Sequence, residues 1–176
     1  MKTAVLYKSR YGYTRLYAEW LAQELGADLL NAATTKPEAL DPYDVLALGG
    51  GVYAGKIAGV ELFAKNAKRL RGKKLALFVV GLRNPELEET QDATRQSLRR
   101  QLPGELLPQV RSFCLLGGLD EKRLSFGHRM MMGMLKKSLQ KKPEEEQTAI
   151  DKAILAGQAN YLNRAALAGI VQYCKT

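Results

Sequence analysis

Short apolar runs alternate with amphipathic segments through the first two thirds of the chain. Thr3–Tyr7 (TAVLY) reads as a strand, and the polar stretch Lys8–Tyr13 reads as a turn. In Thr14–Leu25, the residues Leu16, Tyr17, Trp20, Leu21 and Leu25 recur at helical spacing, and Gly26 supplies the stop. Ala27–Asn31 predicts a second strand, and Pro37 and Pro42 bracket a loop with room for at most one helical turn. Val45–Gly49 predicts a third strand running into Gly50–Lys56, and Gly59–Leu70 the next helix. Leu75–Val80 (LALFVV) is apolar on both faces, as a central parallel strand should be. A polar helix follows over Pro85–Leu102, ended near Pro103-Gly104, and Arg111–Leu116 predicts the fifth strand. Alternating strands and helices with apolar strands predict an α/β fold with a parallel sheet.

The last third breaks this rhythm. Gly117–Lys142 is rich in Gly, Met and Lys, and Pro143–Gln147 is acidic, a loop or helix start. A final helix is expected within Asp151–Cys174, with Ala166, Leu167, Ile170, Val171 and Cys174 on one face. Wound at about 100° per residue, Phe126–Leu139 is expected to place Phe126, Met130, Met131, Met134 and Leu135 on one side. Arg129, Lys136 and Lys137 are expected on the other, with Lys141 and Lys142 following. Such a basic amphipathic helix either packs on the core with its lysines in water, or meets an anionic bilayer or a partner. No repeat or linker divides the chain. The expectation is one domain over 1–176, carrying an insert at about 117–142.

Composition narrows the classes. The 176 residues suffice for a full core. The net charge of +9, from 27 Lys+Arg against 18 Asp+Glu, draws anionic partners without choosing among them. No nucleic-acid motif and no basic stripe interleaved with aromatics accompanies it, so nucleic acid is disfavoured. His128 is the only histidine, which excludes a multi-histidine metal site, and no metal is expected. Cys114 and Cys174 lack CxxC spacing. No apolar run reaches 18 residues, and a strand pattern begins at once with no signal peptide, so a cytoplasmic location is expected.

In open parallel sheets ligands bind beyond the carboxyl ends of the strands. Three loops leave those ends: Lys8–Thr14, Gly49–Lys56 and Gly81–Pro85. In the first, Ser9 and Thr14 offer hydroxyls, Gly12 lets the backbone curl, Arg10 offers charge, and a helix N-terminus follows. That set suits a phosphate, and it also suits an ordinary helix cap. G-x-G-x-x-G and G-x-x-x-x-G-K-[ST] are both absent, as are strand-end aspartates and any Ser-His-Asp arrangement. In the second loop Gly49, Gly50, Gly51 and Gly55 allow close approach, and Tyr53 offers an aromatic face on which a flat ring could stack. Lys56 reads as a solvated charge.

SRYGYT after the first strand resembles the flavodoxin phosphate loop, [ST]-x-x-G-x-T. GGGVYAGK and FVVGLRNP, after the third and fourth strands, are similar to that family's other two flavin loops. The stretch GGLDEKRLSFGHRMMMGMLKKSLQKK resembles the insert of the subgroup that includes menaquinone-dependent protoporphyrinogen dehydrogenase. The resemblance implies a doubly wound sheet of five parallel strands in the order 2-1-3-4-5, with FMN as cofactor. Ser9, Arg10, Tyr11, Gly12, Tyr13 and Thr14 would cradle the phosphate. Gly51, Val52, Tyr53, Ala54 and Gly55 would face the isoalloxazine, and Gly81, Leu82 and Arg83 would close its other side. It further implies an FMN-dependent oxidoreductase or electron-transfer protein with a quinone or another acceptor and no catalytic side chain. The alternatives are a flavodoxin-like binding module without FMN and a basic binder of anions or nucleic acid. Beside this stand a solvated His128, a core Cys114, a partly exposed Cys174, a core Trp20, and solvated charges at Lys136, Lys137, Lys141 and Lys142.

Overall fold

The computed structural model describes Met1–Thr176. Its main sheet contains β1 (Thr3–Lys8), β2 (Asp28–Asn31), β3 (Val45–Tyr53), β4 (Lys56–Ile57), β5 (Lys74–Gly81) and β6 (Val110–Leu116). The five long strands are parallel in the order β2-β1-β3-β5-β6. This is the expected 2-1-3-4-5 order with β4 added as a short antiparallel partner of β3. The helices are α1 (Tyr13–Leu25), α2 (Val60–Lys65), α3 (Glu88–Gln101), α4 (Phe126–Gln140), α5 (Ala149–Ala156) and α6 (Ala168–Lys175). The helix expected over Gly59–Leu70 is α2 followed by a separate 3-10 turn at Ala67–Leu70, with Asn66 between them.

Alternation along β3 and β5 feeds two layers. Leu46, Leu48, Leu75 and Leu77 meet Phe63, Leu70 and Leu98 on one face of the sheet. Val45, Ala47, Ala76 and Phe78 meet Tyr17, Leu21, Leu167 and Ile170 on the other. Each large side chain buried this way contributes about 1.5–3 kcal/mol. Of the residues expected on the inner face of the last helix, Leu167, Ile170 and Cys174 are buried and Val171 is half-buried, whereas Ala166, in the 3-10 turn before α6, is exposed.

The glycines expected in the second loop are mostly strand. β3 continues through Gly49, Gly50 and Gly51 to Tyr53 and turns at Ala54-Gly55. Both turn residues have positive φ, 49° and 73°, as a tight two-residue hairpin requires. Gly49 is needed for space: a Cβ there would lie 2.2 Å from the Phe78 ring.

The excursion expected over about 117–142 runs on to residue 160. β7 (Gly118–Asp120) pairs antiparallel with β8 (Gln158–Asn160), and α4 and α5 lie between them. Leu119, Leu139, Ile154 and Ala159 form its own small core. The Tyr17 hydroxyl fastens both ends to the main sheet layer. It donates to the Leu116 carbonyl (2.8 Å) and accepts from the Asn163 N–H (3.0 Å).

Candidate functional site

β1 ends at Lys8, and the chain turns through Ser9–Gly12 into α1. Gly12 sits at φ +96°, a conformation that L side chains resist, and a Cβ there would meet nothing within 4 Å. Ser9 Oγ accepts from the Gly12 N–H (3.0 Å), which leaves its hydroxyl hydrogen free to donate elsewhere. The opening amides of α1, Tyr13 to Arg15, have no acceptor within the helix and carry the positive end of its dipole. Thr14 is 2% exposed at the base of this turn. Arg10 is exposed, and none of the nine ion pairs engages it. Tyr13 departs from expectation: its ring packs against Gly118, so only its backbone faces the turn. Beside the turn, Lys8 pairs with Glu61; burial raises the Glu61 pKa, but the Lys8 hydrogen bond and nearby amides outweigh it and hold the carboxyl low.

Tyr53 leans back over Gly51 and reaches the first loop, where its hydroxyl accepts weakly from the Arg10 N–H (3.4 Å). Burial raises its pKa. The imidazole of His128 lies stacked on the Tyr53 ring, centroids 5.2 Å apart and planes 3° from parallel. Tyr11 stands edge-on to both rings. Its hydroxyl is 2.6 Å from His128 Nδ1 and accepts from the Ser125 N–H at the start of α4 (3.3 Å). Two expectations are corrected here. His128 is not a solvated side chain, and the Tyr11 side chain serves as the bridge to α4. Burial, and then the positive charge of Arg10, lower the His128 pKa. The helical spacing carried the signal that was missed: His128, Met132 and Leu139 share one face of α4, the one turned toward the protein.

In the third loop, Gly81 accepts from the Gly117 N–H (2.8 Å), and the nearest atom to a Cβ on Gly81 would be Val52 Cγ2 at 3.7 Å. Val52, 43% exposed, thus stands next to Gly81, while the Tyr53 ring covers Gly51. Gly55 is held by its carbonyl, which accepts from Ser97 Oγ (2.8 Å). Leu82 is not free to close over a flat ring as expected; it packs on the small core of the excursion, while Arg83 is exposed.

The remaining candidates lie apart. Cys174 is buried, not partly exposed, and burial pushes its thiol up to about 11, so it is a poor nucleophile. Cys114 is half-buried beside Thr94 Oγ1 (3.4 Å), and Trp20 packs edge-on against Tyr17. Lys136 is not a solvated charge, because it pairs with Glu121 in a partly buried contact; Lys142 pairs with Asp151 (3.4 Å). No group of three or more His, Cys, Asp or Glu could hold a metal ion, and no helix is long and apolar enough to cross a membrane.

Residues 4–146 match the family described as flavodoxin domain. An uncharacterized protein of Methanocaldococcus jannaschii is 39% identical over 57 residues, 32% of this chain and 38% of that protein, so the match spans well under two thirds of that relative. Protoporphyrinogen IX dehydrogenase [quinone] of Escherichia coli K12 is 28% identical over 144 residues, 78% of this chain and 80% of its own. The crystal structure of oxidised flavodoxin 2 from Bacillus cereus is 22% identical, covers 66% of this chain and 86% of its own, and has a TM-score of 0.44.

Proposed function

Since the chain belongs to the flavodoxin domain family, we propose that it binds FMN at the three loops and works as an FMN-dependent oxidoreductase or electron carrier. The residues fit the two ends of that cofactor. A phosphate suits the Gly12-led turn, where free amides and the Ser9 hydroxyl hydrogen meet at one helix end and Arg10, in no ion pair, belongs to the same loop. A flat ring suits Tyr53, and the observation that carries the reading is that a flat ring already stacks there, the imidazole of His128.

Bound FMN supplies the transfer of electrons, and the protein supplies binding, orientation and electrostatics. Ser9, Arg10, Gly12, the backbone of Tyr13, and Thr14 hold the phosphate in this reading. Tyr53, with Gly51 and Gly81 beside it, holds the ring, and Val52 shields one edge from water. A ring seated on Tyr53 takes the place of His128, so the first turn of α4 yields when FMN enters. The relationship to a quinone-linked dehydrogenase over most of both chains supports a quinone as electron acceptor.

The test is reconstitution. The protein is incubated with FMN, freed of excess by gel filtration, and its visible spectrum and melting temperature are recorded. Retained flavin bands at one FMN per chain and a raised melting temperature are expected. A colourless protein with an unchanged melting temperature would leave the fold as a binding module without flavin.

A further inference from the structure

Nine large apolar side chains are exposed on the molecule, and five of them sit on α4: Phe126, Met130, Met131, Met134 and Leu135. Phe126, Met130 and Met134 form one column at i, i+4 and i+8, and are 82%, 59% and 63% exposed. This arrangement inverts the usual surface helix, which turns its apolar stripe inward. The inward face is already occupied by Met132 and Leu139, packed on the small core. The helix is therefore anchored on one side and apolar on the other.

Charge indicates what covers the apolar side. No acidic residue occurs from Ser125 to Lys142. Lys137 does not lie opposite the apolar side as expected: at about 100° per residue it falls, with Lys141, on the same outward arc as the Phe126 column, at its C-terminal end. Both are exposed and unpaired, whereas Lys136 and Lys142 are committed to Glu121 and Asp151. A second copy seated on this face would set the basic residues of one helix against a helix that carries no acid to answer them. An anionic surface answers them directly. Methionine side chains adapt to an irregular apolar boundary, and lysine stems lie along it while their ammonium groups reach phosphates.

We propose that the outward face of α4 seats the protein on an anionic bilayer. Phe126, Met130 and Met134 enter the boundary between headgroups and acyl chains, and Lys137 and Lys141 lie at the lipid phosphates. The contact lies along the surface, in keeping with a helix too short and too polar to span. An acceptor dissolved in lipid would then be met at the membrane.

The experiment is co-sedimentation of the full chain with phosphatidylcholine vesicles, with and without phosphatidylglycerol. Wild type is compared with Phe126→Ser/Met134→Ser and with Lys137→Glu/Lys141→Glu; Lys136 is left intact because it holds Glu121. All substituted residues are exposed, and matching melting temperatures confirm intact folds. Wild type is expected to bind the vesicles containing phosphatidylglycerol, and to do so more weakly as salt rises. Each basic residue strengthens such binding about fivefold, so Lys137→Glu/Lys141→Glu should lose at least about 25-fold, and Phe126→Ser/Met134→Ser, which gives up two apolar side chains, at least about tenfold. Absence of binding to these vesicles, or equal binding by all three proteins, overturns the proposal. Self-association through this face in sedimentation velocity, without vesicle binding, also overturns it.

Discussion

Tyr11 links two parts of the molecule that are 114 residues apart. Its hydroxyl accepts from the Ser125 N–H and meets His128 Nδ1, so the start of α4 is fastened to the loop after β1. His128 is thereby drawn over Tyr53 and close to Arg10, which favours its neutral form. With one histidine in the chain, a single imidazole signal can be followed by NMR. It should titrate below the ordinary imidazole value, and Arg10→Ser should move it back up. The folded state binds the proton less readily than the unfolded one, so this group's stability contribution is full above the ordinary value and is lost as pH falls to the lower folded one. A titration at or above the ordinary value would place His128 in solvent. The loop pattern of Ser9, Gly12 and Thr14 was legible because each residue acts locally, through a hydrogen bond to the amide three residues on, a positive φ or a first-turn position. The roles of Tyr11 and His128 were not, because they depend on where a distant helix lands.

Among elements, β3 is the instructive case. Its glycines look like a flexible loop in sequence, and three of them are buried strand. The reason is tertiary: Phe78 on β5 fills the space that a side chain on Gly49 would need. Gly49→Ala should cost about 1–3 kcal/mol through overpacking. Gly104→Ala, where a Cβ meets nothing within 4 Å, should change stability by less than about 0.5 kcal/mol. Urea midpoints at unchanged m-value check both, and equal midpoints would mean Phe78 does not press on Gly49. The five parallel strands were legible from apolar runs alone. β4, β7 and β8 were not, since strands of two or three residues carry no periodicity, and β7 finds its partner only after α4 and α5 intervene.

On the scale of the whole molecule, the sheet order brings three loops from separate parts of the chain to one edge, and the net charge of +9 acts on whatever binds there. A positive field favours the more negatively charged, reduced form of a bound flavin. The midpoint potential of the FMN-loaded protein should therefore fall as ionic strength rises and screens that field. An anaerobic redox titration at low and high salt measures this, and a potential that stays constant or rises would mean the charges lie too far from the site to act on it.

A comparison of FMN with riboflavin decides whether the Gly12-led turn holds a phosphate while Tyr53 holds the flavin ring. The two ligands share the ring and differ in the phosphate. Equilibrium titration should show FMN binding far more tightly to wild type. Thr14→Ala should remove about 1.5–3 kcal/mol of FMN affinity while leaving riboflavin affinity unchanged. Gly12→Val, which forces a β-branched residue to φ +96°, should narrow the gap between the ligands at least as much. Equal affinities for FMN and riboflavin in wild type, or a gap untouched by both substitutions, would mean that the turn holds no phosphate and serves only as the start of α1.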